Sequence, residues 1–259
     1  MKTETAKISL KNVRKSFQHK HVLCGINISV MPGKSLVIIG GSGSGKSVLL
    51  KSIIGLMPIN SGTIIIDGQD VTHLSASERR ALMYKFGVLF QGGALFDSLH
   101  VWENICFSLI QNRKISRAEG YELAQKTLMS VGLEKAVADL FPNELSGGMQ
   151  KRVALARAIA AKPDIIFFDE PTTGLDPITA DVINHLITKC SKELGATTVT
   201  ITHDMHSVRS IADYVAMIHE GEIIWHGPVD MLDKTNNPYV EQFIHGRAEG
   251  PIKLKLQDH

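Results

Sequence analysis

The stretch "SLVIIGGSGSGKSVLL", residues 35–50, decides the reading of this chain. Its first part is a short apolar run ending in glycine, the pattern of a buried strand. Its last part opens "SVLLKSIIGLM", which has helical spacing and predicts a helix over 47–57 with Pro58 marking its end. Between the two, Gly40, Gly41, Ser42, Gly43, Ser44, Gly45, Lys46 and Ser47 satisfy G-x-x-x-x-G-K-[ST] in full. Strand, loop and helix follow in the order that gives this motif its meaning. Glycines let the backbone curl so that successive N–H groups face inward as an anion nest. The helix beginning near Lys46 aims the positive end of its dipole at the same place. In such a nest Lys46 brings a point charge to the β- and γ-phosphates, Ser47 offers a hydroxyl to Mg²⁺, and Val48 completes the binding stretch.

Working outward, "IIFFDE" (165–170) is the next signal. Four apolar residues make a buried strand with two acids at its C-terminal end, the edge where open α/β sheets bind ligands. Alone, such a run reads equally well as a strand exit with solvated charges. Beside a phosphate loop, Asp169 is placed to hold Mg²⁺ with Ser47, and Glu170 to polarise a water at the γ-phosphate. "GTIIIDGQDV" (62–71), "FGVLFQ" (86–91), "ATTVTITHD" (196–204) and "DYVAMIHEGEIIWHG" (213–227) read as further strands, the last a hairpin turned at Glu-Gly. "RAEGYELAQKTLMSVGL" and "MQKRVALARAIAA" are helical in pattern. The expected fold is α/β: a P-loop ATPase core, a mixed sheet flanked by helices, with an inserted helical subdomain and a short C-terminal extension. The expected division is a 1–235 nucleotide-binding domain, with core 6–95 and 161–235 around an insertion at 96–160, followed by a 236–259 helix and arm.

Composition narrows the class. Of 259 residues, 44% are hydrophobic and 21% charged, enough for a sizeable core. A formal charge of +2 gives no case for nucleic-acid binding. Cys24, Cys106 and Cys190 are odd in number and form no C-x-x-C pair, so they read as reduced, packed thiols without structural zinc. "MKTETAKISLKNV" lacks the apolar stretch of a signal peptide, and no run approaches the roughly 18–20 apolar residues that span a bilayer. A soluble chain is expected, one that serves any membrane process by docking on another protein. A GTPase needs a base-reading N-K-x-D-like segment; none is found, which favours ATP.

"NELSGGMQKRVALARAIA" (143–160) sets a Ser-Gly-Gly turn at the mouth of a strong helix, far downstream of the phosphate loop. With "DEPTTGLDP" (169–177) and "THD" (202–204), it resembles the nucleotide-binding subunit of ABC transporters over residues 6–235. In that family two subunits pair head to tail. The resemblance implies a homodimer in which Ser146, Gly147 and Gly148 of one copy close over ATP held by the other. The glycines bring N–H groups to the γ-phosphate, Ser146 donates a hydroxyl bond, and the helix dipole adds to both. It also implies that Gln91 senses Mg²⁺ and the γ-phosphate and that Asp176 contacts the opposing subunit. His203 would be a switch histidine near Glu170, and Phe17 would stack on adenine. Lys46, Gln91, Glu170 and His203 are the candidate catalytic set, ATP and Mg²⁺ the expected cofactors. A lone histidine after a strand is ordinarily structural, and an aromatic beside a strand is often core. Met149 stands where the family commonly has Gln, Gly174 where many members have Ala, and Phe17 where Tyr is more usual. None of these removes a catalytic group.

"FQGGALFDSLHVWENICFSL" (90–109) runs on from Gln91, and its "GGALFDSL" (92–99) is apolar and small for a surface loop, which marks an interface. This stretch, "GLDPIT", "SIADY" and the tail "YVEQFIHGRAEGPIKL" (239–254) resemble the ATPases of Mla-type phospholipid transporters. That resemblance implies a peripheral protein on the cytoplasmic face of a bacterial inner membrane. Its partners would be a permease, an MCE-domain lipid carrier and a STAS-domain protein. Pro251 cannot sit within a helix and "IKLKL" alternates as an edge strand does, so the tail is expected to be an arm on a partner or else a frayed end. A small-solute transporter and a non-transport ABC regulator of a membrane partner stay open as alternatives. A DNA-repair or ribosomal ABC protein fits less well, since neither a long heptad run nor a second ATPase half is present.

Overall fold

Residues 8–30 form two long strands, β1 (Ile8–Phe17) and β2 (Lys20–Val30), paired antiparallel. In β2 the buried Ile26, Ile28 and Val30 alternate with the exposed Asn27 and Ser29, the period of a strand with one face on a core. The computed structural model describes residues 5–112 and 114–253. β3 (Ser35–Ile39) runs into the glycine loop and α1 (Lys46–Ile54). The helix predicted to reach Pro58 stops earlier. Gly55 turns left-handed and donates its N–H to the Ser52 carbonyl, while Leu56 donates to Lys51, so a glycine cap ends the helix before the proline is reached.

β4 (Ser61–Ile66) and β5 (Gln69–Asp70) turn at Asp67-Gly68 and are followed by α2 (Ala76–Met83) and β6 (Phe86–Leu89). α3 (Val101–Gln111), α4 (Arg117–Ser130) and α5 (Gly147–Ile159) come next, with short 3₁₀ turns at Lys135–Asp139 and Pro142–Glu144. Then β7 (Ile165–Asp169), α6 (Pro177–Leu194), β8 (Thr197–Ile201) and α7 (Met205–Ile211) alternate. The hairpin β9 (Tyr214–His219) and β10 (Glu222–Pro228), a 3₁₀ turn at Val229–Lys234 and α8 (Pro238–Ile244) complete the order.

The strands divide into two sheets rather than one. β2-β1-β4-β5 is antiparallel, whereas β10-β9-β3-β8-β7-β6 is parallel except at the β10 edge. The inner strands β3, β7 and β9 of the larger sheet are buried on both faces, which is why they read as near-continuous apolar runs. In β7, Ile166 and Phe168 join one core with α3–α6. Ile165 and Phe167 join the other, with α1 and the antiparallel sheet, and Phe167 meets the Phe86 ring edge-on at 5.2 Å. Burying a phenylalanine of this kind stabilises by about 1.5–3 kcal/mol.

Residues 92–99, read as an apolar surface loop, are loop, and the rest of the 90–109 stretch enters a helix. α3 starts at Val101, where the His100 N–H donates to Glu103 Oε2 at 3.1 Å, and it buries Val101, Ile105 and Cys106. Apolar residues there serve the core, which leaves residues 90–100 as loop. Cys24, Cys106 and Cys190 are free thiols, and burial pushes Cys106 up to about 11. At the tail, Ile252 and Lys253 carry no strand pairing, and residues 254–256 of the predicted edge strand lie outside the described residues. Among the described residues no helix is long and apolar enough to cross a membrane.

Candidate active site

Parallel pairing collects the candidate residues. β3, β8, β7 and β6 lie side by side and point the same way, so whatever follows each strand emerges at one edge. Register aligns Ile38 with Ile201, Ile201 with Asp169, and Phe168 with Leu89. Gly40, His203, Glu170 and Gln91 therefore leave the sheet at the same end, although the sequence scatters them widely.

The loop after β3 owes its shape to glycine. Gly40 has φ +150° and a Cβ there would strike the Ile218 carbonyl; Gly45 has φ +108° and a Cβ would lie 2.8 Å from the Val22 carbonyl. Lys46 Nζ donates to the Gly40 and Gly41 carbonyls at 2.7 and 2.9 Å, folding back along the loop. Burial holds its pKa below the ordinary lysine value, opposed by the charges of Glu170 and Asp169. Gly43, Ser44, Gly45, Lys46, Ser47 and Val48 line a cleft of about 320 Å³ together with Phe17, Lys20 and Val22. Ser42 and Ser47 are exposed, and Ser44 Oγ is buried without a partner. Phe17 is 43% exposed at the cleft wall, with Lys15 Nζ 5.0 Å from its ring centroid.

At the end of β7 the two acids differ sharply. Asp169 is buried, and its Oδ1 has no hydrogen-bond partner. Burial pushes its carboxyl above the usual aspartate range and the neighbouring Glu170 adds to this, against Lys51, Lys46 and Lys151. Glu170 has φ +50°, a left-handed conformation that strains a non-glycine residue. Its N–H donates to the Ile201 carbonyl at 2.9 Å. Its carboxylate is held from two sides: His203 Nδ1 lies 2.9 Å from Oε1, and the Thr173 hydroxyl donates to Oε2 at 3.0 Å. An orphaned buried carboxylate oxygen near the glycine-loop lysine fits a hard cation. Among the described residues no three His, Cys, Asp or Glu side chains gather as a cage, so phosphate oxygens and water must complete the shell of any such ion.

Within one chain, Ser146, Gly147 and Gly148 do not line this cleft. Ser146 caps α5, its Oγ accepting from the Met149 N–H at 3.3 Å, so the turn presents helix N–H groups outward. Asp176 caps α6 in the same way, accepting from Ile178 and Thr179. Sequence reasoning missed Thr173, Lys151 and Arg157. Lys151 is 7% exposed and its Nζ donates to the Gln91 carbonyl; Arg157 donates to the Gly93 and Ala94 carbonyls at 2.6 and 2.7 Å. For Arg157 the available signal was a cation inside an Ala/Leu/Ile run; Lys151, between Gln150 and Arg152, and Thr173 carry no such signal.

A sequence profile described as "ABC transporter" matches residues 23–173, the span that contains the glycine loop, Gln91, Ser146 and Glu170. The chain belongs to the ABC transporter family. Among related proteins, the intermembrane phospholipid transport system ATP-binding protein MlaF of Haemophilus influenzae is 39% identical over 248 residues, 96% of this chain and 94% of that one. The probable ribonucleotide transport ATP-binding protein mkl of Mycobacterium leprae is 38% identical over 250 residues, 95% of this chain and 71% of that protein. A dimeric ATP-binding cassette solved in a post-hydrolysis state with ADP and Pi superposes with a TM-score of 0.80 at 34% identity, covering 86% of this chain and 98% of the other. The α/β cassette expected from the sequence is thus the observed fold. As an ABC ATPase the chain binds and hydrolyses ATP.

Proposed function

We propose that this ABC ATPase powers phospholipid movement between the inner and outer membranes. In this reading two copies dock beneath a permease on the cytoplasmic face of a bacterial inner membrane, in a complex with an MCE-domain lipid carrier and a STAS-domain protein. The observation that carries the lipid assignment is the likeness to MlaF, which runs through 94% of that protein at 39% identity. The exposed Phe96, packed on Phe107 at 4.7 Å in the region after Gln91, supports a permease-docking surface there.

The site supports the following division of labour. Lys46 and the loop N–H groups hold the β- and γ-phosphates, while Phe17 backs the base. Ser146, Gly147 and Gly148 of the second copy cover the γ-phosphate, and Asp176 contacts that copy. Glu170, fixed by His203 and Thr173, orients the attacking water and takes up its proton. Phosphoryl transfer needs position and electrostatics more than covalent chemistry, and this edge concentrates donors where charge grows. Ser47, Gln91 and Asp169 would hold Mg²⁺, which when bound with the nucleotide neutralises phosphate charge.

Affinity purification of the chain from its native membranes in mild detergent tests the proposal. A permease with an MCE-domain protein and bound phospholipid is the expected catch. A solute-binding protein with another permease would favour small-solute import, the second reading, for which the relative named for ribonucleotide transport is the supporting observation.

A further inference from the structure

Lys151 is a buried cation that the nucleotide chemistry leaves unassigned. It belongs to α5, the helix capped by Ser146, and is 7% exposed. Its ammonium donates to the backbone carbonyl of Gln91 and stands 3.5 Å from that of Glu170. Those oxygens lie just beyond the ends of the adjacent parallel strands β6 and β7. Burial holds its pKa below the ordinary lysine value, against Glu170 and Asp169. A buried ammonium is unfavourable unless it is paired, and this helix position is otherwise apolar in character, so packing alone gives no reason for a charge. Arg157, further along the same helix, grips the Gly93 and Ala94 carbonyls, and Ala94 is held in the left-handed region at φ +48°. One rigid helix thus clamps the turn 91–94 from both ends and touches the backbone of Glu170.

We propose that Lys151 is a positioning residue for hydrolysis. It fixes the backbones of Gln91 and Glu170 against α5, so a shift of the helix that carries Ser146 moves both side chains together. A γ-phosphate gripped at the helix N-terminus is thereby read at the water-orienting carboxylate of the same chain and at the docking turn. The inference rests on the site reading proposed above.

The test is steady-state ATPase kinetics on the full-length chain, purified with its permease where that co-purifies. Wild type is compared with K151M, K151R and E170Q, with Tm measured for each. K151M is expected to lower kcat about tenfold or more and leave KM for ATP within about twofold, and K151R to recover most of the loss. Wild-type kcat in K151M overturns the inference. A joint loss of kcat and affinity that follows Tm and is not rescued by K151R also overturns it. If K151M does not fold, K151Q, which keeps a donor without the charge or reach, is judged by the same criteria. E170Q separates the two levels. Wild-type turnover in E170Q defeats the site reading itself; lost turnover there beside normal turnover in K151M defeats this inference alone.

Discussion

His203 Nδ1 stands 2.9 Å from Glu170 Oε1, across the ends of the neighbouring parallel strands β8 and β7. The carboxylate accepts, so the imidazole donates from Nδ1 and its orientation is set by the pair. Thr173 holds the other oxygen at 3.0 Å, and the strained φ of Glu170 turns the side chain out of the strand path. Glu170 is thus held from both sides by groups of its own chain.

Replacing Glu170 with Gln keeps the side-chain volume and removes the proton acceptor. Turnover is expected to fall about 10²–10⁴-fold, the usual contribution of a positioned base, while ATP still binds. A persistent ATP-bound dimer should appear on size-exclusion chromatography. Normal turnover would remove Glu170 from its assigned role.

His203→Ala releases Oε1 but leaves the Thr173 bond. We expect kcat to fall roughly 10²-fold with little change in KM, because the histidine acts on the carboxylate and not on nucleotide binding. Steady-state kinetics over a range of ATP concentrations reads the two parameters separately; a rise in KM at constant kcat would contradict this.

Lys46→Ala takes away the charge beside the cleft. Hydrogen bonds to charged groups are worth about 1.5–3 kcal/mol, which corresponds to a roughly 10–150-fold weaker Kd for ATP by titration calorimetry. An unchanged Kd would mean that the loop N–H groups suffice.

Asp169→Asn tests the cost of a buried charge. The folded pKa of Asp169 is raised, so between its unfolded and folded values the folded state binds the proton more tightly than the unfolded chain. Its contribution to stability therefore falls as pH rises through that window, and the penalty is fully present above it. Without nucleotide, the Asn variant is expected to melt higher at neutral pH, each 1 kcal/mol being worth about 2–4 °C in a chain of this size. Mg²⁺-dependent hydrolysis should be lost at the same time. A lower Tm in calorimetry would show that the carboxylate stabilises the empty fold.

Gln242 is buried on α8 and bonds both backbone groups of Ile252, donating to its carbonyl at 3.0 Å and accepting from its N–H at 2.6 Å, besides donating to the Arg247 carbonyl. Gln242→Leu should free this segment, seen as faster tryptic cleavage after Arg247. Equal cleavage rates would show that other contacts hold the tail.

Much of the site was legible because its chemistry is local. The loop 40–47 needs glycines and a lysine in fixed order, and Asp169-Glu170 must follow an apolar strand. The helix stop at Gly55 was misplaced because Pro58 is the louder signal, while a glycine cap acts through two backbone hydrogen bonds. The helix from Val101 was not legible because an amphipathic helix and an exposed apolar segment look alike until the partner core is known. The second sheet was missed because β1 pairs with β4, a partner beyond the glycine loop and α1.

By itself, then, the sequence determined which groups are present and how each local segment turns: glycine at φ values other residues resist, apolar runs that must be buried, caps at Ser146 and Asp176. Only the tertiary structure decided which of them meet. Parallel strand order and register brought His203 to Glu170. Packing of α5 against the sheet set Lys151 and Arg157 inward against carbonyls of the loop after β6 and of Glu170. Local propensity acts over a few residues, whereas these contacts exist only once the strands are aligned and water has left the core.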